Sequence, residues 1–130
     1  MSKVRPTEAE LEILQVLWQQ GPATVRTVHD HLHRVSDKAV GYTTTLKLMQ
    51  IMFEKGLLTR NTDQRSHVYA ADVGESAVQR SLLQQFVDKT FRGSATRLVM
   101  EALGQHQASE AELAQIKALI KQMEDQQKDT

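Results

Sequence analysis

The chain has no cysteine. Disulfides, thiolate metal sites and a cysteine nucleophile are therefore excluded. Long apolar runs are also missing: nothing approaches the roughly 18 to 20 residues that span a bilayer. The opening "MSKVRPTEAELEIL" has no apolar signal core, so no membrane insertion and a cytoplasmic location are expected. An excess of one charge is absent too, since 16 Lys+Arg balance 16 Asp+Glu. Net charge thus makes no case for a nucleic-acid partner. Its distribution says slightly more: residues 1–70 hold nine Lys/Arg against seven Asp/Glu, and residues 71–130 hold seven against nine. There is no G-x-S-x-G, no glycine-rich phosphate loop and no H-E-x-x-H. The carboxylates fall mostly on helical faces, where solvation or capping accounts for them, so neither catalysis nor a cofactor is expected.

What is present is an ordinary 130-residue composition, 40% hydrophobic and 25% charged, enough for one domain or two small ones. Thr7 to Glu10 form a capping-box pattern, in which the Thr7 hydroxyl accepts from the Glu10 amide while Glu10 reaches back. A first helix should start there, carrying Leu11, Leu14, Leu17 and Trp18 at helical spacing until "QGP" stops it. Thr24 can cap a short second helix with Val25, Val28 and Leu32 on one face, ending before the polar "RVSDKAVG". A third is expected from about Thr43 to Lys55, with Gly56 as its left-handed stop. The runs "LLTRN" (57–61) and "SHVYA" (66–70) then read as a β-hairpin with a charged tip. Three short helices and a hairpin are the elements of a winged helix-turn-helix.

The third helix opens on three threonines, although a β-branched residue is a poor helix former. Thr45 falls on the apolar face with Leu48, Met49 and Met52, whereas Thr43, Thr44, Lys47 and Gln50 lie opposite. The first turn of a recognition helix meets phosphates and base edges, where small hydroxyls and exposed N–H groups make hydrogen bonds. Lys47 adds a phosphate or guanine contact, and Arg60 and Arg65 flank the hairpin tip, where guanidinium groups can clamp sugar-phosphate oxygens. "HDHLH" places His29 and His33 on one helical face and His31 nearly opposite. Zinc or copper needs a third or fourth ligand, so three surface histidines and no metal are expected.

The second half is helical and of another character. A long helix over about residues 75–91 carries Val78, Leu82, Leu83, Phe86 and Val87; a shorter one covers about 95–103. Ser109 to Glu112 form a second capping box, opening a final helix. In it Leu113, Ile116, Ile120 and Met123 follow spacings of 3, 4 and 3, the seam of a two-helix contact. The tail "EDQQKDT" is expected to fray. These stripes have few residues to enclose them, so pairing with a second copy is expected, with an intramolecular bundle as the alternative. The fold class expected is mainly α: a winged helix-turn-helix with a small β-hairpin wing over residues 1–72, and a helical dimerisation region over 73–130.

Taken together, "PTEAELEILQVLW", "GPATVRTVHDHL", "GYTTTLKLMQIMFEKGLLTR" and "DQRSHVYA", followed by a helical half, resemble the BlaI/MecI/CopY family of bacterial repressors. The resemblance covers nearly the whole chain. It is most specific at Tyr42-Thr43-Thr44, at "EKGLL" (54–58) and at the Arg65 and Tyr69 pair. It implies a homodimer on a palindromic double-stranded operator. By matching positions Thr43, Thr44 and Lys47 would make the groove contacts, Arg60 and Arg65 would support the wing, and the last helices would form the dimer; Tyr42 and Gln50 of the same helix are further candidate DNA-binding residues. Half-sites would stand one or more helical turns, roughly 34 to 36 Å each, apart. A role in β-lactam resistance, with the protease of a membrane sensor as a regulatory partner, is a further implication.

Three positions depart from the family's pattern. Ile51 stands where a basic residue is frequent, the cysteine-rich copper motif is missing, and Glu101-Ala102 replaces the Asn-Phe pair at which the β-lactam-responsive members are cut. A winged-helix module that binds another protein and reads no DNA is the alternative, motivated by the neutral net charge and by Ile51.

Overall fold

A computed structural model describes residues 5–35 and 40–128. The elements run α1 (Glu8–Gln20), β1 (Ala23–Thr24), α2 (Val25–Val35), α3 (Tyr42–Glu54), β2 (Leu58–Asn61), β3 (Val68–Ala71), α4 (Glu75–Thr90), α5 (Ala95–Gln105) and α6 (Glu110–Lys128). The chain divides into two compact units, Met1–Gln85 and Phe86–Thr130, and the division falls inside α4.

In the first unit the start of α1 is set locally. The Thr7 amide donates to Glu10 Oε1 at 2.8 Å and the Glu10 amide donates to Thr7 Oγ1 at 3.2 Å, the reciprocal capping box. Two turns of apolar residues then go inward: Ile13, Leu14, Val16 and Leu17 join Val25, Val28, Met49, Met52, Leu57, Leu58 and Tyr69 in one core. Trp18 lies at its edge, with the indole N–H donating to the Val73 carbonyl at 2.9 Å. At the C-terminus of α1 the Gly21 amide donates back to the Leu17 carbonyl.

The sheet is antiparallel with strand order β1-β3-β2. The hairpin matches its expected place, whereas β1, whose two residues carry no period, is new: Ala23 pairs with Tyr69 and Thr24 with Val68. The hairpin starts later than expected. Leu57 still belongs to the helix stop, where its amide donates to the Met52 carbonyl and the Gly56 amide to Phe53, with Gly56 at φ +85°. That is a Schellman ending, and it requires the left-handed residue that glycine supplies. Ser66 and His67 belong to the tip, so β3 begins at Val68.

Three further expectations are corrected. Helix α2 continues through Arg34 and Val35 into the stretch read as a polar connector, whose residues 36–39 lie outside those described. His29 is not on the surface: it is 7% exposed, and its Nδ1 lies 2.9 Å from Oγ1 of Thr45 in a hydrogen bond. A hydrogen-bonded imidazole can be buried where an unpaired one would not be. Finally, the tail does not fray at Glu124: α6 runs to Lys128. Its Lys121/Asp125 and Glu124/Lys128 spacings favour continued helix.

In the second unit, the end of α4 turns through Arg92 (φ +52°) and Gly93 (φ +85°), with the Gly93 amide donating to the Val87 carbonyl. The Ser94 hydroxyl caps α5 by accepting from the Arg97 amide. The Phe86 and Phe91 rings meet edge to face, centroids 5.8 Å apart. Helix α6 opens on the predicted capping box: the Ser109 amide donates to Glu112 Oε1 at 3.0 Å and the Glu112 amide to Ser109 Oγ at 3.1 Å. Among the described residues no helix is long and apolar enough to cross a membrane.

Candidate nucleic-acid interface

Helix α3 presents two chemically different faces. Thr45, Met49 and Met52 are buried, while Thr43, Thr44, Lys47 and Gln50 are exposed along the opposite side and Tyr42 is exposed at the start of the helix. The three threonines therefore have two roles. Thr43 and Thr44 offer free hydroxyls to solvent; Thr45 points inward and holds His29. Gly41, the N-cap, has no side chain to accept from the first turn, and no acidic residue lies in that turn. Among the described residues the leading N–H groups of α3 and the positive end of its dipole thus meet no capping side chain and no first-turn carboxylate, a favourable setting for phosphate.

A cleft of about 340 Å³ opens beside this face, between α3 and the wing. From α3 it receives Tyr42 and Gln50, and from the wing Arg65, all three singled out in the sequence. Thr43, Thr44 and Lys47 lie on the outer surface of the same helix. Thr24, expected only as a helix cap, also lines the cleft, as do Arg26, Ser66 and His67, for which the sequence suggests no DNA contact. Arg26, the second residue of α2, lies with its guanidinium carbon 4.2 Å from the centroid of the Tyr42 ring. The Tyr42 ring also meets the His29 ring edge-on at 5.6 Å. A cation–π contact of this kind orders both side chains while leaving the guanidinium edge free to donate. The signal available in the sequence was small: Arg26 is the only charged residue in the first turn of α2.

Arg60 is placed differently from Arg65. It is half-buried over the Phe53 ring at 4.2 Å, near the far end of α3, and its Nε is buried without a hydrogen-bond partner. At the tip, the Asp63 amide donates to Asn61 Oδ1 at 2.9 Å, folding the turn on a side-chain acceptor.

Two contacts fix α3 to its surroundings. Glu10 Oε2 accepts from Lys55 Nζ at 2.8 Å, joining the head of α1 to the end of α3. Burial pushes the Glu10 carboxyl up, but the Lys55 ammonium and the Thr7 amide outweigh that and hold it below the usual value. At the other end, His33 Nε2–H donates to the Val40 carbonyl at 3.0 Å, just before the helix starts. Among the described residues no group of three or more His, Asp or Glu side chains could hold a metal ion.

Of the residues expected to pair, Phe86, Leu113, Ile120 (51% exposed) and Met123 (55%) are open to solvent in the single chain, while Leu82 and Ile116 are half-buried.

Comparison with known proteins agrees with this architecture. The solution structure of the DNA-binding domain of the repressor BlaI matches with a TM-score of 0.50 at 24% identity, covering 58% of this chain and 90% of that one. The penicillinase repressor of Bacillus licheniformis is 23% identical over 123 residues, 95% of this chain and 94% of the relative. The transcriptional regulator BlaI of Mycobacterium tuberculosis (strain ATCC 25618 / H37Rv) is 31% identical over 106 residues, 78% of this chain and 75% of the relative. The methicillin resistance regulatory protein MecI of Staphylococcus aureus (strain N315) is 20% identical over 114 residues, covering 88% and 91%. The penicillinase repressor profile itself matches residues 6–122. A winged helix-turn-helix followed by a helical region, matched over nearly its whole length, thus belongs to the penicillinase repressor family, a family of transcriptional repressors and not of enzymes.

Proposed function

We propose that this chain represses transcription in the cytoplasm by binding a palindromic DNA operator as a homodimer, with residues 1–72 reading DNA and residues 73–130 joining the two copies. The observation that carries the reading is the outer face of α3. Thr43, Thr44, Lys47 and Gln50 stand exposed on a helix whose first turn carries no acidic residue, beside a cleft that adds Arg26 and Arg65. A helix so furnished fits the major groove, with the wing against the backbone. Pairing is supported by the apolar stripe of α6, of which Leu113, Ile120 and Met123 are exposed in the single chain. A C2 contact would bury that patch twice. Two half-site engagements through one interface bind far more tightly than either alone, so loss of the dimer is the route to induction.

A finer reading, repression of a β-lactam-resistance function, is supported by the names of the relatives. Under it, a sensor protease cutting at Glu101-Ala102 would meet the middle of α5. Cleavage there requires local opening of that helix. The alternative of a protein-binding module rested partly on an exposed Ile51, and Ile51 is half-buried.

The test is selection of bound duplexes from a random pool by the purified protein, then titration of the winner at two salt concentrations. An inverted repeat is expected, with log K falling against log salt at about −0.9 per neutralised phosphate. No enrichment, with weak binding indifferent to salt, would overturn the reading.

A further inference from the structure

Behind the recognition helix, on the side away from the DNA cleft, a second cavity of about 310 Å³ opens between the head of α1, α2 and the start of α3. One wall is apolar, made by Ile13, Leu32, Val40 and Leu48. His29, His33 and Thr45 contribute polar atoms, and the two imidazole rings meet edge-on with centroids 4.4 Å apart. Glu8 and Glu12, four residues apart on one helical face of α1, also line the cavity. Among the described residues neither carboxylate has an ion-pair partner. A mostly apolar recess with a few converging polar groups is the usual form of a small-molecule site.

We propose that this cavity binds a small aromatic amine. Its ammonium would sit at Glu8 and Glu12, while its ring would lie on the apolar wall against the imidazole edges. Two carboxylates without an ion-pair partner, and no lysine or arginine in the lining, among the described residues, favour a cation and disfavour an anion. The site also has a mechanical link to α3. His29 holds Thr45 in the first turn, and His33 holds the Val40 carbonyl just before it. A ligand that shifts either imidazole therefore alters how α3 is presented, and the two binding events are coupled. That coupling rests on the DNA-binding reading; occupancy of the cavity does not.

The experiment is an amide-resolved NMR titration of the full chain with phenethylamine, and with phenylacetate as the near-isosteric anion. Saturable shifts centred on His29, His33, Thr45 and Leu48 are expected. Phenethylamine should bind at least about fivefold more tightly than phenylacetate, and the Glu8→Gln/Glu12→Gln variant should erase that preference. Phenylacetate binding as tightly, shifts centred elsewhere, or no saturation by either probe would overturn the site. Saturating phenethylamine should also change the affinity for the selected duplex in the unaltered chain and leave the double variant unaffected. Cavity shifts without any duplex binding would keep the site and reject the DNA-binding reading. Cavity shifts with unchanged duplex affinity would reject the coupling alone.

Discussion

The chain builds the same capping box twice, at Thr7 with Glu10 and at Ser109 with Glu112, with hydrogen bonds of nearly the same length. What surrounds the two boxes could hardly differ more. Glu10 is 2% exposed, joined to Lys55 and set against a closed core, whereas Glu112 is in open solvent with only His106 3.5 Å away. The same contrast runs through the units. The first buries a continuous core from α1 to β3, while among the described residues of the second only Val87 is buried. Starting a helix is a local event that a few residues decide. Enclosing its apolar face is not, and the second unit has too little chain of its own to do so.

The contrast fails if the second unit needs no partner. Ile116→Asp puts a charge into the α6 seam, and burial of an unpaired charge is prohibitive. We expect the variant to sediment as a monomer and to lose about 100-fold or more in operator affinity through lost avidity. A variant that sediments and binds like the unaltered protein would remove α6 from the interface.

Next in size is the closed side of the comparison. Glu10→Ala removes the N-cap partner of Thr7 and the carboxylate of Lys55 together, and should cost about 2–3 kcal/mol in chemical denaturation. The effect depends on pH in a defined direction. Because the folded Glu10 carboxyl lies below its usual value of 4.5, its contribution is fully present above that value. It is lost as pH falls through the lower folded value. The gap between the unaltered protein and Glu10→Gln should therefore close in acid, and a gap that widened would contradict the assigned direction.

These contrasts also mark how far the sequence could be read. Both capping boxes, the Gly56 stop, the inward Thr45 and the periodic stripes were legible because each depends on neighbours within a turn or two. β1 was not, since its pairing with β3 joins residues far apart in sequence. The burial of His29 was missed for a related reason: its hydrogen-bond partner, Thr45, lies on another helix. At the candidate DNA site, the exposed strip of α3 was readable from helical period alone. Arg26, Ser66 and His67 were not, because they reach the cleft only through the packing of α2 and the wing on α3.

A smaller effect separates reading from folding within the first unit. Lys47 is exposed on the face opposite the buried Thr45, Met49 and Met52, so Lys47→Ala should leave thermal stability unchanged while weakening operator binding about tenfold. The salt slope should become shallower by about 0.9, the signature of one lost phosphate contact. Loss of affinity with an unchanged slope would move Lys47 from the backbone to a base edge.

The smallest effect returns to the exposed capping box. The Ser109 amide, and after it the hydrogen bond from His106, hold the Glu112 carboxyl below its usual value, so its contribution too is present at neutral pH and lost in acid. Here the ion pair is open to solvent, where such contacts contribute little. Glutamine also retains the acceptor that the Ser109 amide needs. Melting curves of Glu112→Gln from pH 7 to pH 3 should therefore track those of the unaltered protein, while those of Glu10→Gln diverge at neutral pH. Equal divergence at both sites would mean that the second box is shielded in the assembled protein. A second copy would then lie over the start of α6, and the pairing surface would extend beyond the seam of Leu113, Ile116, Ile120 and Met123.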